Sequence, residues 1–289
     1  GFLSVGTKDL VDVITYHNYG AIPEERIYAA AKVWEVINKY NPKIQMWQGE
    51  CGYPSHSSTR DYRGISPWGL NIQAKWLLRQ AFTDTFFCRA TVSNYFKLVH
   101  TGNRAARPQR SFLSNIDKVL GFPERNGSRV KTVGINEKCL LTNPGLTPKP
   151  GYFAYQNLCA VMDGRYKSIE VKHHVDILDE GIFYGIGPED DAFPSVPLVA
   201  SFKTENDAFL IAHWLPWHPQ EYIPKTALID LTLDGVQFSN PVLVDLLTGK
   251  VHELKKVVRN GAGITFSSLP LADYPFAIVE RAMIDFGDP

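Results

Sequence analysis

The rhythm of apolar and polar positions changes part of the way along the chain. From Val11 to about Gly164, short β-branched runs alternate with stretches whose apolar residues recur every three or four positions. From about Val171 onward, apolar and polar residues mostly alternate one by one. A period near 3.6 buries one stripe of a helix and a period of two buries one face of a strand, so the first rhythm predicts strand and helix units and the second predicts antiparallel strands. In the first part, strands are expected at Val11–Thr15, Lys43–Gln48 and Ala90–Val99. A helix opening at Pro23-Glu24-Glu25 presents Ile27, Ala30, Val33, Trp34 and Ile37 on one side and stops at Asn41-Pro42. The early proline and the acids at the positive end of the dipole suit a helix start. A second helix, over about 67–87, carries the stripe Leu70, Ala74, Leu77, Leu78, Ala81 and Phe82, and a third spans Tyr152–Met162. Between the third strand and the third helix lies a long polar connection rich in Arg, Pro and Asn, a length that is uncommon unless it is functional.

In the second part, strands are expected around 199–203, 208–214, 226–233, 242–245, 264–266 and 276–279, joined by turns such as Asp234-Gly235, Thr248-Gly249-Lys250 and Asn260-Gly261. The expected architecture is α/β over residues 1–168 followed by an antiparallel β-sandwich over 169–289.

Two strand endings stand out. Ile44-Gln-Met-Trp47-Gln48-Gly49-Glu50-Cys51-Gly52-Tyr53-Pro54 is an apolar strand that ends on a carboxylate and turns at once through glycine and proline. Upstream, Leu10-Val-Asp-Val-Ile-Thr-Tyr16-His17-Asn18-Tyr19-Gly20 closes on a His and a Tyr before a glycine. Barrels of eight parallel strands gather their chemistry at the C-terminal strand ends, so Glu50 suits catalysis there better than solubility.

Thirty Lys and Arg against thirty Asp and Glu leave no net charge to attract nucleic acid or an anionic membrane. No apolar run approaches the ~20 residues of a membrane span, and no signal-peptide pattern opens the chain. Cys51, Cys88, Cys139 and Cys159 are widely spaced, so buried free thiols are expected instead of a zinc site. His173-His174 would point to opposite faces of a strand and so cannot share a metal. Trp214 and Trp217 are expected as a core and a rim tryptophan of the sandwich.

With these residues in view, the chain resembles the C-terminal part of a retaining glycoside hydrolase of the large clan with (β/α)8 barrels and paired glutamates. Val11-Asp12-Val-Ile-Thr-Tyr-His17-Asn-Tyr19 resembles the sixth barrel strand, Trp47-Gln-Gly-Glu50-Cys-Gly-Tyr53 the seventh, and Ser93-Asn-Tyr95-Phe96 the eighth. Lys149-Pro150-Gly-Tyr152-Phe-Ala-Tyr155-Gln-Asn-Leu158 resembles the final barrel helix. Leu243-Val-Asp245-Leu-Leu-Thr248-Gly249-Lys-Val251 and Leu269-Pro-Leu-Ala-Asp273-Tyr-Pro275-Phe resemble the accessory β-sandwich of several such families. A complete barrel takes ~250 residues, and only the last three strand and helix units are expected here.

The resemblance implies Glu50 as the nucleophile of a double displacement on a carbohydrate, with no cofactor and no metal. Substrate contacts would come from His17, Tyr19, Gln48, Tyr53, Trp68 and Tyr95. Since odd spacing along a strand changes face, Trp47 is expected against the helices and Gln48, sharing the parity of Glu50, inside the barrel. The family's acid/base Glu follows an Asn at the end of the fourth strand, which has no counterpart here. Asn136-Glu137, the one Asn-Glu in the chain, lies in the polar connection. A second chain or a missing N-terminal segment is therefore expected to complete the barrel, and a secreted or periplasmic setting fits the chemistry. The alternatives are a salt-bridged, structural Glu50, and a non-catalytic carbohydrate-binding or assembly protein on the same scaffold.

Overall fold

The structure, a computed structural model, describes residues 2–6, 8–17, 19, 22–55, 69–99, 138–142, 145–181, 196–223 and 225–287. Trp68, Asn136 and Glu137 lie outside them.

Three parallel strands, β1 (Val13–His17), β2 (Gln45–Cys51) and β3 (Val92–Tyr95), pair in the order β1-β2-β3. Helix α1 (Arg26–Tyr40) connects the first two, α2 (Leu70–Phe82) lies between the second and third, and α3 (Pro150–Val161) follows. A parallel β-α-β connection lays its helix over one sheet face, and α1 packs on the sheet in this way. Ile14 and Tyr16 of β1 and Ile44 and Met46 before and on β2 pack against Ala30, Val33, Trp34 and Ile37 of α1. Of the expected α1 stripe, Ala30 and Ile37 are buried and Ile27, Val33 and Trp34 are partly buried against the same cluster. On the opposite face, Thr15, His17, Gln45, Trp47, Val92 and Asn94 are half or fully exposed. Among the described residues no barrel closes, and β1 has no strand on its outer edge.

The described residues after α3 form two antiparallel sheets. Six strands, β4 (Lys167–Ser168), β6 (Leu198–Lys203), β7 (Phe209–Trp214), β9 (Pro241–Asp245), β10 (Val251–Glu253) and β13 (Phe276–Glu280), run in the order β10-β9-β13-β7-β6-β4. Four more, β5 (His173–Asp179), β8 (Ala227–Asp234), β11 (Val257–Asn260) and β12 (Gly263–Leu271), run in the order β11-β12-β8-β5. Strict alternation makes β8 buried at Ala227, Ile229, Leu231 and Leu233, while β7, flanked on both sides in its sheet, is buried along its whole length. Mixed parallel and antiparallel content of this kind is compatible with a partial barrel followed by a sandwich. Neighbouring His173 and His174 take separate partners, the Val171 carbonyl and the Asp176 carboxylate.

Both parts share one core. Ala74, Leu77, Leu78 and Phe82 of α2 and Ala154, Leu158 and Val161 of α3 belong to the same buried cluster as the inner faces of the two sheets. That changes the expectation for α2, which is buried nearly all round instead of along one stripe; only its end at Leu70 stays exposed. The helix can be buried on its polar side because each charge is matched. Lys75 Nζ lies 2.9 Å from Asp273, and Arg79 donates through Nε and Nη2 to the two oxygens of Glu24 at 2.8 Å each. Arg79 Nη1 also donates to the Trp217 carbonyl, and Trp214 Nε1 donates to Glu24. Trp214 and Trp217 are both buried, so neither is a rim residue. Of the four free thiols, Cys51, Cys88 and Cys139 are buried and Cys159 is exposed.

Candidate active site at the ends of the parallel strands

Glu50 stands at the C-terminal end of β2, opposite His17 at the end of β1. The pairing does not run evenly to that point. Tyr16 pairs with Gln48 but His17 pairs with Glu50, and on the other edge Gln48 pairs with Ser93 but Cys51 with Tyr95. One extra residue in β2 accounts for both shifts, a β-bulge at Gly49-Glu50. A bulge re-aims the side chains that follow it, and bulges favour such positions next to active sites. Gln48, before it, points to the helix-covered side, and Cys51, after it, returns to that side; both are buried. Glu50 in between turns to the open side, where its carboxylate meets His17 and Tyr19.

The two glycines around Glu50 permit the approach of both neighbours. A Cβ on Gly49 would stand 2.3 Å from Thr15 Oγ1 and 3.2 Å from His17 Nε2. A Cβ on Gly52 would stand 2.3 Å from the Phe96 carbonyl oxygen, where the chain after β3 crosses and the Phe96 amide donates to the Cys51 carbonyl.

Four side chains form the cluster. Tyr19 donates its hydroxyl to Glu50 Oε1, and His17 Nδ1 lies 3.4 Å from Oε2. Lys138 Nζ lies over the Tyr19 ring, 3.9 Å from its centroid. Partial burial pushes the Lys138 ammonium pKa down, and the charge of Glu50 works against that. The Glu50 side chain keeps 28% of its surface exposed, so it can be reached from solvent. Lys138 belongs to the long polar connection and was not singled out by any spacing or pattern. Its place is fixed through its backbone, whose carbonyl accepts from the Tyr95 hydroxyl at 3.0 Å and from Gln73 Nε2 at 3.2 Å.

The other expected contacts divide. His17 and Tyr19 reach Glu50, as their strand end suggested. Gln48 does not face the open side; it is fully buried, and its Oε1 accepts the Asn94 amide at 3.1 Å, tying β3 to β2. Trp47, expected against the helices, lies instead on the open face, 38% exposed, with Nε1 donating to Gln45. The bulge explains both reversals, because the parity count from Glu50 assumed an unbroken strand. Tyr53 is a core residue: it is buried, stacked on Trp76 with ring centroids 5.6 Å apart, and its hydroxyl donates to Gln80. The Tyr95 hydroxyl is engaged with Lys138 and with the Tyr53 backbone, so it braces the site from below.

Beneath the sheet lies a polar cluster without a sequence signature. The Asp84 carboxylate, fully buried, accepts from the Tyr16 hydroxyl at 3.0 Å and from Ser93 Oγ at 2.7 Å, with Arg26 Nη1 3.9 Å away. Burial raises the Asp84 pKa, and the Arg26 charge opposes the rise. It joins β1, β3 and α1 under the strand ends that carry Glu50.

No family model matches the chain, and no curated protein matches it. Solved structures do. A GH51 arabinofuranosidase from Xanthomonas axonopodis pv. citri superposes with a TM-score of 0.46 at 10% identity, covering 96% of this chain and 54% of its own. A protein described as a glycoside hydrolase gives 0.39 at 11%, covering 88% and 47%. A Bacteroides uniformis beta-glucuronidase gives 0.33 at 13%, covering 94% and 28%. These neighbours are glycoside hydrolases, and the chain spans about half the length, or less, of each.

Proposed function

We propose that this chain is the C-terminal part of a retaining glycoside hydrolase, with residues 1–168 as the end of its barrel and 169–289 as an accessory β-sandwich. The observation that carries this is the Glu50 carboxylate at a parallel strand end, turned to the open face by a bulge and held by the Tyr19 hydroxyl beside His17. In this reading Glu50 attacks the anomeric carbon of a glycoside, and water then hydrolyses the glycosyl ester. The Tyr19 hydrogen bond fixes the orientation of the carboxylate that would attack. Trp47 and Thr15 on the open face would lie inside the completed barrel.

Retention takes two carboxyl groups about 5–5.5 Å apart. The cluster as described holds one, so the acid/base would come from a segment that completes the barrel or from a second chain. The same observation supports the second reading, a non-catalytic carbohydrate-binding or assembly protein on a glycosidase-like scaffold. Incubation with a panel of activated 2-fluoro-glycosides, read by intact-mass spectrometry and peptide mapping, separates them. A sugar-sized gain on Glu50, absent from Glu50→Gln, is the expected result, and it needs a longer form of the protein if the acid is supplied upstream. No gain on either form removes the enzymatic reading and leaves the second.

A further inference from the structure

We propose that the seam between the α/β part and the six-stranded sheet holds a second binding site, built around Arg89, for a small organic carboxylate with an apolar body. Two clefts meet there. One, of about 340 Å³, lies between the start of β3, the end of α3 and β4. The other, of about 580 Å³, lies between Phe86-Phe87 and the residues that follow Ser168. Each volume falls in the range of small-molecule sites, roughly 300–1,000 Å³. Arg89 and Ser168 line both clefts, so the two adjoin at these residues. They lie at the N-terminal end of β3, whereas Glu50 stands at the C-terminal end of the neighbouring parallel strand β2. The site is therefore separate from the candidate active site and does not depend on the chemistry proposed there.

Two observations single out Arg89. Its backbone takes φ +54° just past the helical turn Thr83–Phe87, the left-handed position that glycine usually fills after a helix. A long cationic side chain is thus kept at a backbone cost that glycine would avoid, and such costs gather at functional positions. The guanidinium is also lightly held: its ion pair with Glu170 spans 3.8 Å, and the two side chains are 67% and 90% exposed. Exposed pairs of this kind contribute little, so a ligand anion can take the place of Glu170. Lys167, in the wall of the smaller cleft, adds a second cation; it donates to the Gly164 carbonyl and makes no ion pair among the described residues. Asp163, the acid in that wall, is already engaged by Arg165 through Nε at 2.8 Å and Nη2 at 2.7 Å. One guanidinium beside one ammonium matches a single carboxylate, which the guanidinium can hold through two parallel hydrogen bonds. The walls suit an apolar body. Phe86 meets Phe87 edge to face with ring centroids 4.9 Å apart and packs on Phe202, while Leu158 and Met162 line the smaller cleft.

The test titrates the whole chain with 4-phenylbutyrate, its neutral amide, acetate and 3-phenylpropyl phosphate, with affinities read by NMR, in the wild type, Arg89→Gly and Arg89→Gln. The expected result is that 4-phenylbutyrate binds about tenfold or more tightly than either its amide or acetate, and that both variants lose that advantage, since a hydrogen bond to a charged group contributes on this scale. Because glycine suits the backbone at position 89, Arg89→Gly is expected to melt no lower than the wild type, which separates loss of binding from loss of fold. Equal binding of acid and amide, binding kept in both variants, or no binding of any probe overturns the proposal. Tighter binding of the phosphate than of the carboxylate overturns the ligand class. A lowered melting temperature in both variants assigns the Arg89 side chain to the fold and overturns the site.

Discussion

Gly49 and Thr15 approach so closely across β1 and β2 that a single methyl group on Gly49 would stand 2.3 Å from Thr15 Oγ1. The bulge that aims Glu50 depends on this approach. Gly49→Ala therefore forces the two strand ends apart, and overpacking of this kind costs roughly 1–3 kcal/mol. Denaturant unfolding is expected to show that loss, and Thr15→Ala in the same chain to recover much of it by removing the opposing atom. A double variant no more stable than Gly49→Ala would place the cost elsewhere.

Glu24 and Arg79 form a two-point ion pair buried between the parallel strands and the antiparallel sheets, with Trp214 Nε1 as a third donor. Removing one partner leaves a buried charge unmatched, which costs about 3–5 kcal/mol. Arg79→Met and Glu24→Leu should each lower thermal stability sharply, and the double variant should be milder than the sum of the two. Additive losses would show that the pair is not energetically coupled.

His213 is fully buried on β7, its Nε2 3.0 Å from the Pro270 carbonyl, and burial drives its pKa from 6.5 down to about 4. Between those values the unfolded chain takes up a proton that the folded one refuses, so the contribution is whole above pH 6.5 and is lost as pH falls towards 4. The full loss is roughly 3 kcal/mol. Urea unfolding at pH 7 and pH 4.5 should show a fall in stability that is smaller by about 2 kcal/mol in His213→Phe. An unchanged fall would assign the acid sensitivity to other groups.

Tyr53 separates packing from sugar contact. Since its ring lies against Trp76 and its hydroxyl on Gln80, Tyr53→Phe should cost about 1 kcal/mol and Tyr53→Ala about 3–5 kcal/mol. Tyr53→Phe should leave any carbohydrate affinity unchanged by calorimetry. A selective loss of affinity in that variant, with stability kept, would return Tyr53 to the cleft.

Much of the secondary structure was legible because it follows local periodicity. The α1 stripe from Ala30 to Ile37 marks residues that are buried or partly buried, and the alternation of β8 marks its buried ones. The turns at Gly235, Gly249 and Gly261 form with positive φ, as their sequences suggested. Strand β2 shows the limit of this logic. Counting by twos from Glu50 puts Gln48 on its face and Trp47 on the other, and one inserted residue reverses both. A bulge costs no composition signal beyond a glycine, and glycine has many other uses.

The sequence by itself determined that a carboxylate ends one parallel strand and a His and a Tyr end the next, since strand endings are written in the passage from apolar run to Gly and Pro. Only the tertiary structure decided which way those side chains turn, that Lys138 from a long polar connection joins them, and that α2 buries its charges between two layers. Those outcomes depend on contacts between residues far apart in the chain, where pairing register, close backbone approach and matched charge outweigh any local preference.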